Sequence, residues 1–381
     1  MEDIYCTKCI NKKRQPGICF DENGTCHICN GEIDLHEKEE HIAEYERDFK
    51  RYLVAPSRGN GSYECMLMLS GGKDSIYMLL QVINAHKKKV LAFTYDHPYE
   101  STNAEKNIKK VCAAMDVDHI SLSSHSKYRA FMSQSLYKYQ KYNTLSQKAM
   151  VENPAFFMRE KQPCGICTSY ILLSAFMTAF RMNIPYILYC ADPDQLDWIW
   201  VHDDIKRTIR NNKQFLGNDF YSNIFGDITE IILETDDAKL PKIIYPYVSM
   251  RETYDSEKII SLLKEKKLYN SNIFETHCVL WGFINYYAYK NFNTFLYASE
   301  RAKLVREGSL SREKEIESEK KLREIFLHIA PKENISDSEK SFVIETLRNL
   351  EQVPESSVEY LYEMIINTRQ YAEDLGFPIN Q

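Results

Sequence analysis

The sequence predicts an α/β protein with a doubly wound, mostly parallel sheet, a small cysteine-rich module before it and a helical region after it. Short apolar runs alternate with segments of helical length between Tyr63 and Val248, which is the pattern of strand–helix–strand units. Beyond Arg251 the apolar residues recur at helical spacing only. Two Cys-x2-Cys pairs near the N-terminus indicate the separate module.

Each predicted strand is a short run rich in apolar residues and bounded by polar or turn residues. We expect strands at 65–69, 90–95, 118–122, 184–190 and 241–248. Helices are expected at 76–86, 103–115, 168–182 and 205–215, with an amphipathic linker helix at 35–53. Crossover helices between consecutive strands predict that the strands pair in parallel.

Composition indicates a water-soluble protein of about two domains plus an appendage. Of 381 residues, 27% are charged and 44% hydrophobic, and the net charge of −6 disfavours a large nucleic-acid surface. The opening residues Met1–Cys6 lack the basic start and apolar run of a signal peptide. The longest largely apolar stretch, Tyr170–Phe180, is shorter than the roughly 20 residues that cross a bilayer. We expect a cytoplasmic protein that binds no membrane.

The N-terminal cysteines have the spacing of a zinc ribbon. Cys6 and Cys9 form one Cys-x2-Cys pair, and Cys26 and Cys29 form a second pair after sixteen intervening residues. Two such pairs bring four thiolates around one tetrahedral Zn²⁺ ion. No position is left open for a substrate, so the site is expected to be structural, with the metal supplying folding energy. Cys19, between the pairs, is interpreted as a bystander.

The turn Ser70–Ser75, with the sequence Ser-Gly-Gly-Lys-Asp-Ser, joins the first predicted strand to the first predicted helix. Adjacent glycines let the backbone approach a ligand, and a helix start offers unpaired N–H groups. Asp74 can hold Mg²⁺ or cap the helix. The turn is not a Walker A loop, because its glycines adjoin. We predict that the polyphosphate-binding residues are Ser70, Gly71, Gly72, Lys73, Asp74 and Ser75, of which Lys73 and Asp74 are catalytic.

Two further carboxylates follow later predicted strands. Asp96 comes directly after the strand at 90–95, and Asp192 follows the strand at 184–190. Ligand groups collect where the strands of a parallel sheet end, so both are candidates for the nucleotide or its Mg²⁺. For Asp96 the alternative is a turn residue whose hydrogen bonds are satisfied locally.

A third cysteine pair, Cys164 and Cys167, precedes an apolar helix. A thiolate is favoured at a helix N-terminus because the helix dipole lowers its pKa. The pair can be a redox pair, half of a metal site or two plain thiols. An iron–sulfur cluster needs a third cysteine. The best candidate is Cys278, which follows a break in the apolar pattern of strands and helices. We favour a three-thiolate site for a 4Fe-4S cluster, with a second metal site or plain thiols as alternatives.

The predicted organisation is a zinc ribbon (1–34), a linker helix and loop (35–62), a nucleotide-binding domain (63–250) and a helical C-terminal region (251–381). The loop at Ser70–Ser75 resembles the pyrophosphate loop (PP-loop) of the N-type ATP pyrophosphatases. The whole layout resembles the N-acetyl sugar amidotransferases of surface-polysaccharide and nonulosonic-acid pathways. The ribbon, the sequence Phe20–Gly24 before its second pair, the Cys164 pair and Thr276–Cys278 carry this resemblance.

The resemblance implies an AMP-forming enzyme that uses ATP and Mg²⁺. Its substrate would be an N-acetylated sugar, whose acetamido group is adenylated and converted to an acetamidino group by ammonia. A separate glutaminase subunit is the implied ammonia source. The chain departs from the family before Asp192, where Cys190-Ala191 stands in place of a residue pair that usually contains glycine.

Two other functions are compatible with the same motifs. A thiolase acting on tRNA or a small molecule would use the same adenylate together with a three-cysteine iron–sulfur cluster, although the acidic net charge favours a partner other than nucleic acid. A nucleotide sensor with a zinc scaffold would bind ATP without releasing pyrophosphate.

Overall fold

The computed structural model describes residues 3–31, 36–54, 63–141, 162–191, 205–270, 278–350 and 353–379. The chain forms two compact units, each built from separated stretches. The ribbon unit comprises residues 1–35, 132–167 and 272–381, and the sheet unit comprises residues 36–131 and 168–271.

The sheet unit contains a five-stranded sheet in the order β3-β2-β1-β4-β5. Every neighbouring pair is parallel. The strands are Cys65–Met68 (β1), Val90–Asp96 (β2), His119–Ser123 (β3), Tyr186–Leu188 (β4) and Lys242–Ile244 (β5). The chain winds from β1 outwards to β3 and then returns to the other side of β1, so the predicted doubly wound sheet is confirmed. The winding direction changes between β1 and β4.

The central strands are buried because helices cover both faces of the sheet. Cys65, Met66 and Leu67 of β1 are fully buried, and β2 is buried from Val90 to Tyr95. Such strands read as continuous apolar runs in the sequence. Edge strand β3 is polar and largely exposed, in keeping with its position.

The helices of the sheet unit include the predicted linker helix and the four predicted crossover helices, together with helices that were not predicted as crossovers. They are His36–Val54 (α1), Lys73–Asn84 (α2), Thr102–Met115 (α3), His125–Lys141 (α4), Pro163–Arg181 (α5), Ile205–Leu216 (α6), Asn218–Phe225 (α7), Ile228–Glu234 (α8) and Ser256–Glu265 (α9). The division points of the two units, after residues 131 and 167, fall within α4 and α5.

Helix α5 is longer than the sequence pattern suggested. The apolar pattern predicts a start at Thr168, but the helix begins at Pro163, a residue well suited to a first helical position because it has no N–H to satisfy. With 19 residues it is long and apolar enough by composition to cross a membrane. However, 56% of its most apolar window is buried, and the Tyr170 ring packs against Tyr95, Tyr128 and Phe131. This is the burial expected of a core helix.

In the ribbon unit the N-terminal module and the C-terminal helices share one apolar core. The C-terminal helices are Trp281–Phe292 (α10), Ala298–Arg306 (α11), Arg312–Glu324 (α12), Asp337–Arg348 (α13), Val358–Ile366 (α14) and Thr368–Asp374 (α15). Cys6, Cys9 and Ile10 belong to the same buried cluster as Trp281 and Phe326. The ribbon is therefore an integral part of the helical unit.

A buried ion pair also connects the ribbon to α12. Lys12 Nζ lies 2.5 Å from Glu319 Oε1, and the two side chains are 1% and 2% exposed. The Tyr5 hydroxyl donates to the other carboxylate oxygen of Glu319, and Lys12 has a second anionic neighbour, Asp3, at 3.5 Å. Removing one member of a buried pair leaves the other charge desolvated, which costs more than the pair contributes.

We expect Glu319→Ala to lower the free energy of unfolding by about 3 kcal/mol, because it leaves Lys12 buried beside one more distant anion. Glu317→Ala is the matched control on the same helix, since Glu317 is 69% exposed and pairs with Lys321 in solvent. That control should change stability by less than about 0.5 kcal/mol. Denaturant titration of both variants measures the difference, and equal effects would contradict the structural role of the buried pair.

Candidate functional site

Gly71 fixes the shape of the turn between β1 and α2. Its φ of +75° lies in the left-handed region, and a Cβ at this position would come within 2.4 Å of the Ala104 carbonyl oxygen in the first turn of α3. The Asn107 side-chain amide donates to the Gly71 carbonyl oxygen at 3.1 Å. Asn107 is itself held by the Asn270 N–H, which donates to its Oδ1 at 3.0 Å. The turn thus lies directly against the α3 backbone.

Serine hydroxyl groups hold the turn from within. The Ser70 N–H donates to Ser75 Oγ at 3.2 Å, and the Gly72 N–H donates to Ser70 Oγ at 3.4 Å. The Ser75 hydroxyl donates to the Gly72 carbonyl oxygen at 3.1 Å. Gly72 is the N-cap of α2 and has no side chain that could cap the helix. The positive end of a 12-residue helix dipole is therefore presented without a covering cap side chain.

The turn lies at the position where open parallel sheets bind ligands. β1 pairs with β4 through Met66–Ile187 and Leu67–Leu188, so the residues after these strands meet at one edge. This is also where the winding direction changes, and the crevice at such a switch point is the usual ligand site of a doubly wound sheet. Tyr189–Ala191 follow β4, whereas Asp192 lies outside the described residues. The predicted role of Asp192 stays a prediction.

Lys73 and Asp74 open α2 side by side. Lys73 Nζ lies 3.1 Å from Asp74 Oδ2, and the two side chains are mostly buried. The Tyr254 hydroxyl donates to Asp74 Oδ1 at 2.8 Å, and the Tyr247 hydroxyl donates to the Asp74 carbonyl oxygen at 2.9 Å. Burial beside the carboxylate raises the pKa of Tyr247 well above its usual range, so its hydroxyl remains a donor.

Sequence reasoning missed Tyr247 and Tyr254. It placed 241–248 in a strand, but β5 ends at Ile244 and a 3-10 turn spans Pro246–Met250. The proline at the start of this turn has no N–H to donate to a sheet, which favours ending the strand. The signal that could have found Tyr247 is its position just beyond a strand of the same sheet, where functional groups gather.

Asp96 lies at the end of β2, as predicted, beside two residues with shifted pKa values. His125 Nε2 is 3.7 Å from Asp96 Oδ1. Burial lowers the pKa of His97 to about 4. Burial, and secondarily the charges of Asp96 and Glu105, raises the pKa of Glu100 to about 8. Contact between Asp96 and a nucleotide stays a prediction.

The raised pKa of Glu100 predicts a pH-dependent contribution to stability. The unfolded state releases this proton near pH 4.5, and the folded state retains it to about pH 8. The contribution is therefore complete below pH 4.5 and is lost as the pH rises through 8. We expect Glu100→Gln to become more stable relative to the wild type as the pH rises from 4.5 to 8. Denaturation curves across this range test it, and a constant difference would be inconsistent with the shift.

The four ribbon cysteines lie close enough together to hold a single metal ion. Their Sγ atoms all lie within 4.8 Å of one another, and Cys9 Sγ is 3.7 Å from Cys26 Sγ. Tetrahedral zinc with Zn–S bonds of about 2.3 Å places its sulfurs about 3.8 Å apart. The N–H groups of Lys8 and Cys26 donate hydrogen bonds to Cys6 Sγ. The donor set and spacing fit the predicted Zn²⁺ site; the identity of the ion stays a prediction.

Helix α12 supports this site through Arg312. The Arg312 guanidinium donates to the Cys6 and Cys9 carbonyl oxygens, with Nε at 3.0 and 3.2 Å. These carbonyls flank the first pair of thiols. The arginine therefore fixes the backbone that aims the thiols at the ion, a role typical of groups around a metal site.

We expect Arg312→Ala to release bound zinc to a colorimetric chelator about tenfold faster, because the first cysteine pair loses its external restraint. Arg348→Ala is the control, since Arg348 is exposed and pairs only with surface Glu355 among the ion pairs of the described residues. Release at the same rate from both variants would show that Arg312 does not support the site.

Cys164, Cys167 and Cys278 are half-buried members of the ribbon unit. Cys164 and Cys167 are the second and fifth residues of α5, and the Leu280 N–H donates to Cys278 Sγ at 3.4 Å. In the described part of the chain, the closely spaced group of three or more metal-binding side chains is that of the ribbon. His277, adjacent to Cys278, lies outside the described residues. A cluster held by Cys164, Cys167 and Cys278 stays a prediction.

No family model matches the chain, and no curated protein matches its sequence. Among solved structures it is similar to a tRNA thiolase with a 4Fe-4S cluster from Methanococcus maripaludis, at 14% identity and a TM-score of 0.31, with 83% of this chain and 89% of that chain covered.

It is also similar to the NMN synthetase of Francisella tularensis, at 13% identity and a TM-score of 0.26, covering 71% of this chain and 98% of that one. The NH3-dependent NAD synthetase of Campylobacter jejuni matches at 16% identity and a TM-score of 0.23, covering 59% and 92%. Similarity at this level assigns neither an activity nor a ligand to this chain.

Proposed function

We propose that this protein is an ATP-dependent, AMP-forming enzyme that activates an amide oxygen by adenylation. The observation that carries the proposal is the Ser70–Ser75 turn. It combines a backbone that only glycine permits at position 71, an uncapped helix start, a lysine and a carboxylate at the switch point of a parallel sheet. Those features together favour a polyphosphate with a divalent cation.

The residues of the turn have distinct tasks in this proposal. The N–H groups at the start of α2 bind phosphate oxygens, and Lys73 neutralises negative charge that develops as pyrophosphate leaves. Asp74 is the ligand available to Mg²⁺, which when bound neutralises the phosphates and orients them for in-line displacement. The serine hydrogen bonds hold the turn in its binding shape before the nucleotide arrives, so little reorganisation is needed.

We further propose that the activated group is the acetamido group of an N-acetylated sugar, as the resemblance to the sugar amidotransferases implies. The amide oxygen attacks the α-phosphorus of ATP and pyrophosphate leaves. Ammonia then adds to the amide carbon and loses a proton, and AMP departs with the former amide oxygen. The product is an acetamidino sugar. Ammonia would be supplied by a separate glutaminase subunit.

A thiolase is the second candidate, and one specific feature favours it. Cys164 and Cys167 lie at the N-terminal end of an apolar helix, where the dipole stabilises thiolates, and Cys278 belongs to the same compact unit as the pair. A cluster at these residues would carry a sulfur atom to the same adenylate in place of ammonia. A brown protein after anaerobic purification, with its colour lost in Cys278→Ser, would favour this candidate.

The test of the main proposal is incubation with ATP, Mg²⁺, an ammonium salt and a panel of N-acetylated nucleotide sugars and nonulosonic acids. We expect equal amounts of AMP and pyrophosphate, and a sugar product one mass unit lighter, because an NH group replaces an oxygen. ATP binding without pyrophosphate release would instead identify a nucleotide sensor. A product heavier by the difference between sulfur and oxygen, formed with a sulfur donor, would identify the thiolase.

We expect Lys73→Ala and Asp74→Asn each to lower AMP formation by about 10²–10³-fold, because each removes a group that stabilises charge on the phosphates. Lys258→Ala is the control, since Lys258 is exposed and its described ion pair is with surface Asp255. Steady-state pyrophosphate release measures all three variants. Release at the wild-type rate from either loop variant would exclude the assigned roles.

A further inference from the structure

The two carboxylate oxygens of Asp74 have different partners, which indicates that each oxygen has a different role. Oδ1 accepts from the Tyr254 hydroxyl at 2.8 Å. Oδ2 faces Lys73 Nζ at 3.1 Å. One oxygen is therefore bound by a neutral donor and the other by a cation.

Tyr254 is supported by contacts other than its hydrogen bond to Asp74. It lies just before α9, whose residues pack against α2. Its ring meets the Tyr247 ring edge-on, with centroids 5.5 Å apart, and the Tyr247 hydroxyl holds the Asp74 backbone carbonyl. The two tyrosines thus fix both the main chain and the side chain of Asp74.

Lys73 is the cation facing this carboxylate among the described contacts. Cys190 is a half-buried neighbour whose pKa is raised well above its usual range, first by desolvation and then by the Asp74 charge, so its thiol stays neutral. Tyr254 donates a hydrogen bond without adding a charge. Another cation can therefore replace Lys73 beside Oδ2 without disturbing the hydrogen bond on Oδ1.

We propose that Tyr254 is a positioning residue that keeps Asp74 Oδ2 available to a divalent cation while Lys73 moves from Asp74 to the polyphosphate. This inference rests on the proposed function. A polyphosphate carries more negative charge than a single carboxylate, so it attracts Lys73 more strongly. The bond from Tyr254 prevents the carboxylate from rotating to follow Lys73, and it leaves Oδ2 directed towards the vacated position. The ligand of this site is thus a nucleotide polyphosphate that arrives together with its divalent cation.

The test is ATP binding by calorimetry at increasing Mg²⁺ concentrations, for the wild type and for Tyr254→Phe. We expect the variant to need about tenfold more Mg²⁺ for half-maximal enhancement of ATP affinity, because it loses one hydrogen bond to a charged group. Its affinity for ATP in EDTA should be unchanged. At saturating Mg²⁺, its turnover should approach the wild-type rate.

Two controls separate positioning from a general structural effect. Tyr63→Phe removes a similar tyrosine–aspartate hydrogen bond, 2.6 Å long, between Tyr63 and Asp118, and it should leave the Mg²⁺ dependence unchanged. In an Asp74→Asn background, Tyr254→Phe should have no further effect on Mg²⁺ dependence, since both changes act through one carboxylate. This comparison within the double variant remains informative if the single variant loses some stability.

The positioning role would be overturned if Tyr254→Phe left the Mg²⁺ dependence unchanged. It would also be overturned if Tyr254→Phe changed the Mg²⁺ dependence equally in the wild type and in the Asp74→Asn background. Either result would leave the proposed function in place. A wild-type protein that binds no ATP at any Mg²⁺ concentration would overturn both. The inference is supported if the wild type binds Mg²⁺ and ATP, and if Tyr254→Phe raises the Mg²⁺ requirement only in the protein that retains Asp74. This holds even if no sugar is turned over.

Discussion

The candidate site depends on the close approach of Gly71 to the backbone of α3. Any side chain at this position would collide with the Ala104 carbonyl group, so the turn would have to move away from α3. The hydrogen bond from Asn107 to Gly71 would then break, and with it the connection to Asn270. The direction of α2, and hence the positions of Lys73 and Asp74, follows from this single contact. One missing Cβ therefore sets the geometry of the whole candidate site.

Strong local patterns explain how much could be predicted from the sequence. The buried runs of β1 and β2 and the cysteine spacing of the ribbon each reflect a constraint that acts within a few residues, and the structure confirms the sheet and the four-cysteine group. The Ser70–Ser75 turn could be predicted as a candidate polyphosphate-binding loop for the same reason. Its glycines, lysine and carboxylate are adjacent in the chain.

Interactions between distant residues could not be predicted in this way. Tyr254 reaches Asp74 across 180 positions, and nothing in the local pattern of either residue indicates the other. The start of α5 was misplaced because the polar residues around Cys164 and Cys167 resemble a loop when their burial is unknown. The ion pair of Lys12 with Glu319 could not be predicted either, since the local sequence around each residue is that of an ordinary surface charge, and only the fold buries them.

The joining of the ribbon to α12 has a consequence for biosynthesis. Lys12 and Glu319 are 307 positions apart, so the ribbon leaves the ribosome long before its counter-charge exists. At about 5–20 residues per second, the delay is roughly 15–60 s. During that time, the thiols of Cys6 and Cys9 are exposed to chelators and oxidants without the Arg312 contact that later restrains them. Early capture of a metal ion by the nascent ribbon would protect these thiols while the Arg312 contact is still missing.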